Sequence, residues 1–123
     1  MIATSRKWAW IGITLILLTG LIHLVEAPEY LEEATYTGLL FVANGIVAAI
    51  AAVGIYRGAR GWGWGLGAVL AAASIVGYVM SRTVGLPGIG VEEWLEGAGI
   101  ASLVVEALFV AVAVRVLSHK TGQ

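Results

Sequence analysis

Long apolar runs separated by short polar segments dominate the chain, and the runs are too long to be strands. They fill 8–25, 38–56, 62–80 and 98–116, each 18 or 19 residues. At about 1.5 Å per helical residue, each run spans about 27 Å, close to the thickness of a bilayer's hydrocarbon core. Transmembrane strands would be about half as long and would alternate apolar with polar positions, which none of the four runs does. A helix of this length satisfies its own backbone in lipid. The pattern predicts an all-α polytopic membrane protein, with one domain over 1–123 and a bundle of four transmembrane helices. Arg6 and Lys7 precede the first run as a signal-peptide n-region would. The run is too long for such a peptide, however, and Ala27-Pro28-Glu29-Tyr30 is poor cleavage context, so a retained helix is expected.

Composition supports this picture. Apolar residues make up 59% of the 123, and charged residues only 12%, about half the charged share of a globular domain. So few charges would not shield the apolar surface in water, which argues against a soluble enzyme. The absence of cysteine removes disulfides, thiolate nucleophiles, iron–sulfur clusters and thiolate metal sites.

Charge also predicts orientation. Arg6, Lys7, Arg57, Arg60, Arg115 and Lys120 fall on one side of a four-span topology. Glu26, Glu29, Glu32, Glu33, Glu92, Glu93 and Glu96 fall on the other, with Arg82 as its one basic residue. The positive-inside rule then puts both termini in the cytoplasm, in a multi-pass protein of the cell inner (plasma) membrane. Trp8, Trp10, Tyr56, Trp62 and Trp64 would mark the cytoplasmic interface, and Tyr30, Tyr36, Tyr78 and Trp94 the outer one. The basic residues barely exceed what orients the helices, so no nucleic-acid partner is expected. The bilayer is the expected partner, with a homo-oligomer or a larger membrane complex as further options.

Two outer segments echo each other. Residues 29–39, EYLEEATYTGL, and 93–103, EWLEGAGIASL, share Glu29, Leu31, Glu32, Ala34 and Leu39 at an offset of 64. This suggests two parallel helical hairpins, each carrying a short outer interfacial helix, at 28–33 and 91–96. Convergence on a common interfacial composition would give the same echo. Small residues spaced by four, in Gly54/Gly58, Gly61/Gly65, Gly63/Gly67, Ala48/Ala52 and Ala107/Ala111, predict close helix packing.

Against the apolar background, polar residues at membrane depth stand out. Glu106 lies about 12 Å below the outer end of its run, where a carboxyl needs protonation, a partner or a metal. Asn44 and Ser74 share nearly the same depth. His23 and Tyr78 lie higher, with Glu26 and Arg82 at the rim. Ser74, Tyr78 and Arg82 follow one helix face at i, i+4, i+8, and Ser102 and Glu106 are likewise four apart. These eight residues predict an outward-facing polar cluster. Glu106 would fix the bundle's register through Asn44, Ser74 or Tyr78, bind a ligand or metal, or handle protons. His23 and Glu106 are the candidate metal ligands, with Met80 as a thioether at the rim. A haem would need a second protomer, because His119, on the cytoplasmic tail, is the only other histidine. In the third connection Leu86, Pro87 and Gly88 predict a turn that folds over the cluster together with Trp94.

The series His23-Leu24, Pro28 and Tyr30, with Arg82 to Gly88 (RTVGLPG), Trp94 and Glu106, resembles small four-helix integral membrane proteins of bacteria and archaea that have no assigned activity. The resemblance covers most of the chain and implies no catalytic role. Three functions remain open: a non-enzymatic accessory or binding protein, a metal- or haem-associated redox component, and an oligomeric small transporter or channel.

Overall fold

The computed structural model describes residues 5–94 and 96–118. His119 and Lys120, expected on the cytoplasmic side, lie outside them. Four helices form: α1 (Arg6–Glu33), α2 (Thr35–Tyr56), α3 (Gly65–Arg82) and α4 (Gly97–Ser118), with a π-helical turn (Arg60–Trp64) leading into α3. All four are long and apolar enough to cross a membrane. The protein is a four-helix, multi-pass membrane bundle. α1 packs against α2 and α4, and α3 against α4, while α1 and α3 scarcely touch across the diagonal.

The bundle has an apolar exterior around a core that mixes Ile16, Ile55, Trp64 and Phe109 with small and polar side chains. Outward-facing positions carry large apolar side chains such as Leu21, Val25, Leu40, Val69 and Val114, whereas Ala48, Ala51, Ala71, Ala113, Thr19 and Glu106 are buried. Lipid is as apolar as leucine, so association relies on close backbone approach and on polar contacts.

The ends of the helices are defined locally. α1 does not stop at Val25 but runs through Pro28 to Glu33, about 42 Å at 1.5 Å per residue, so its acidic last turns project past the apolar core. Ala34 alone joins α1 to α2, in extended backbone. The Thr37 hydroxyl there donates to the carbonyls of Tyr30 (3.1 Å) and Ala34 (2.7 Å). α2 ends in a Schellman cap: Gly58, at φ +77°, lets its N–H reach the Ile55 carbonyl and the Ala59 N–H reach that of Gly54.

Several expectations are corrected here. Residues 28–33 belong to α1, and 91–94 form no interfacial helix. They run irregularly, anchored by the Glu92 N–H on the Ser81 carbonyl at 2.9 Å. The two echoed segments therefore differ: one closes a helix and the other opens one. Tyr30 is buried whereas its counterpart Trp94 is exposed. Tyr30, Tyr78 and Trp64 are buried inside the bundle, because interface composition bears on depth and says nothing of which face looks inward. Ala107 and Ala111 face outward. A Cβ on Gly58, Gly61 or Gly65 would meet nothing, and the close approach is instead between Gly54 and Gly63, where a Cβ on Gly63 would lie 2.6 Å from the Gly54 carbonyl carbon.

Candidate functional site

At the acidic end the four helices part around a cavity of about 400 Å³, within the size range of small-molecule sites. All eight residues of the expected cluster line it: His23, Glu26, Asn44, Ser74, Tyr78, Arg82, Ser102 and Glu106. Each of the four helices contributes to the wall. Met80 is not on the wall and faces outward, 43% exposed, because it is two residues past Tyr78 and about 200° around the helix.

The cavity has a mid-depth polar belt. The Asn44 side-chain amide donates to Ser74 Oγ at 2.8 Å, tying α2 to α3, and the Ser74 hydroxyl donates in turn to the Leu70 carbonyl at 2.9 Å. Ser102 donates to Glu106 Oε2 at 2.6 Å within α4. His23 Nδ1 sits 2.8 Å from the Thr19 carbonyl. A carbonyl only accepts, so Nδ1 carries the proton, and Nε2 is turned towards Glu106 Oε2 at 3.8 Å. Glu106 thus pairs with Ser102 and His23, and its expected bonds to Asn44, Ser74 and Tyr78 do not form. Two buried oxygens, Thr19 Oγ1 and Asn44 Oδ1, have no partner among the described residues. Of these two residues only Asn44 lines the cavity.

Above the belt is a pinned cap. Arg82 is buried, its guanidinium 4.1 Å over the Tyr78 ring. It donates to the Glu93 carbonyl (3.0 Å) and Ser81 Oγ (2.7 Å), and faces Glu92 and Glu96 at 3.7 and 3.5 Å. Glu96 in turn caps α4, accepting from the backbone N–H groups of Ala98 (2.9 Å) and Gly99 (3.0 Å). Tyr30 donates to Glu92 at 2.5 Å, Tyr78 to the Trp94 carbonyl at 2.5 Å, and Tyr36 to the Pro87 carbonyl. Gly88 takes φ +79° in the turn, and Leu86 covers the cavity. Arg82 therefore serves the outer glutamates and the loop backbone, and does not reach Glu106.

Sequence reasoning left Tyr30, Thr37, Ser81, Glu92 and Glu96 out of the cluster, yet they also line the cavity. Tyr30 was accessible from spacing, since His23, Glu26 and Tyr30 fall at i, i+3, i+7. Glu92 and Glu96 lie in or beside irregular backbone, where no periodicity assigns a face.

Among the described residues no three His, Cys, Asp or Glu side chains converge as a metal site. His23 and Glu106 supply two ligands, and a metal there would need others from solvent, a second chain or residues outside the described ones. Comparison with protein-family models, curated proteins and solved structures finds no match for the chain.

Proposed function

We propose that this protein is a small, non-enzymatic binding or accessory component of the cell inner membrane. Both termini face the cytoplasm and the cavity lies at the outer end. One observation carries the binding role: the polar side chains of four otherwise apolar helices converge on a cavity whose wall includes Asn44, with a buried oxygen unpartnered among the described residues. Structural polar residues in membranes normally pair off and leave no space between helices. The orientation rests on Arg6, Lys7, Arg57, Arg60 and Arg115 at one end and seven glutamates around the other. Membership of the small four-helix proteins of bacteria and archaea, and assembly as a homo-oligomer or within a larger complex, belong to the same proposal.

Native mass spectrometry of the gently extracted protein tests it. The expected result is a discrete mass beyond whole multiples of the 12.8 kDa chain, lost when Asn44 is replaced by leucine. Chains with no added mass from native membranes, and none after exposure to candidate ligands, would overturn the binding role. Cysteines at Ser5 and Gly90 should label from opposite sides of the membrane, Gly90 from outside. Labelling from the same side would refute the topology.

The His23–Glu106 approach favours a second reading, in which the pair handles a proton or contributes to a metal or haem site. Added mass containing a metal would select it.

A further inference from the structure

We propose that the cavity takes a single-chain membrane amphiphile with an uncharged hydrogen-bond-donating head, admitted sideways from the bilayer between α2 and α3. This rests on the binding role above and names its ligand class.

The route follows from exposure. Leu40, Ala43 and Ala73 line the cavity and are also exposed on the outside of the bundle, so at the α2–α3 seam the wall is open to the bundle's surroundings. α2 and α3 are also the most loosely packed adjacent helices, and α2 meets the π-helical turn more closely than it meets α3 itself. On the water side, three tyrosine hydroxyls and the Glu92 N–H fasten the third connection over the acidic end, and the cavity meets solvent past the partly exposed carboxylates of Glu92 and Glu96.

The chemistry follows from the lining. Leu40, Ala43, Val47, Leu70, Ala73 and Gly77 make the seam apolar and suit an alkyl or isoprenoid chain. A cavity of about 400 Å³ is too small to enclose a two-chain phospholipid. Beside this apolar strip, Asn44 lines the cavity, and its buried Oδ1 has no donor among the described residues; a turn of the side chain would present that unsatisfied carbonyl to a ligand that supplies a donor. The head's charge is constrained as well. Glu26, Glu92, Glu96 and Glu106 all border the cavity, and among the described residues the one Lys or Arg on its wall, Arg82, is already engaged by Glu92 and Glu96. An anionic head would meet this carboxylate surplus, whereas a hydroxyl or primary amide would not.

The test uses the whole protein in nanodiscs with four probes: oleyl alcohol, oleamide, methyl oleate and glycerol. Binding is read as a 1:1 mass adduct and as a rise in unfolding temperature. The alcohol and the amide should bind at least about tenfold more tightly than methyl oleate, which has the same chain but no donor. N44L should erase that difference. A73F places a ring at an exposed residue of the seam and should block all three long-chain probes. Equal binding of methyl oleate, or indifference to N44L, would overturn the donor-head assignment. Indifference to A73F would overturn the lateral route. Binding of glycerol alone would overturn the amphiphile while leaving a binding role intact. If no probe binds and no native mass is retained, the binding role fails with it.

Discussion

The two ends of this bundle use the same four helices for opposite purposes. At the basic end, glycine admits an aromatic plug: Trp64 is fully buried, stacks 5.5 Å from Phe109, and covers Gly12 so closely that a Cβ there would overlap the indole. Phe109 in turn occupies the space that a side chain at Gly67 would need. Arg60 donates to the Val116 carbonyl, and Arg115 lies 5.0 Å over Trp8, binding α4 to its neighbours. At the acidic end the helices are held by Asn44–Ser74 and by the cap, with a cavity between them. Small residues close one end while polar pairs span the other, and only the second arrangement leaves room for a ligand.

The comparison can be broken most directly at the plug. Trp64→Ala should cost about 3–5 kcal/mol, the range for losing a large buried aromatic, measured as reversible unfolding in mixed micelles. A loss below about 1 kcal/mol would mean that the basic end does not hold the bundle. Arg82→Ala should cost about 2–3 kcal/mol, less than a fully buried pair because Glu96 is partly exposed. It should also speed thiol labelling of a cysteine placed at Leu86, and unchanged labelling would show that the cap is fastened without Arg82. Gly63→Ala forces its Cβ against the Gly54 backbone and should cost about 2 kcal/mol, whereas Gly61→Ala, which meets nothing, should be neutral or stabilising. Ser74→Ala should cost only about 1 kcal/mol while reducing ligand retention, which separates the two ends by readout as well as by size. Leu108→Ala, on the lipid-facing surface, should stay within about 0.5 kcal/mol.

Much of the candidate site was legible because helical spacing and membrane depth are both linear in sequence. Ser74, Tyr78 and Arg82 share a face by count alone, and Asn44, Ser74 and Glu106 share a depth by count alone. Pairing was less accessible. Glu106 bonds within its own helix to Ser102, and His23 bonds back to Thr19, because in a low-dielectric setting the nearest acceptor four residues away competes with any partner across the bundle. Composition left the inward facing of Trp64, Tyr30 and Tyr78 unread for a related reason: an amphipathic ring near a helix end satisfies its polar edge as well inside the bundle as at the headgroups.

The sequence by itself determined that the chain crosses the membrane as four helices, with segregated charge and a handful of polar residues at matched depths. These properties depend on runs and spacings that need no neighbours to be read. Tertiary structure alone decided that glycines at Gly12, Gly54, Gly63 and Gly67 close the basic end, that 83–94 fold down onto Arg82 and Tyr78, and that a cavity remains between them. Each of these is a contact between residues far apart in the chain, and its existence depends on the shapes that both sides present once the helices meet.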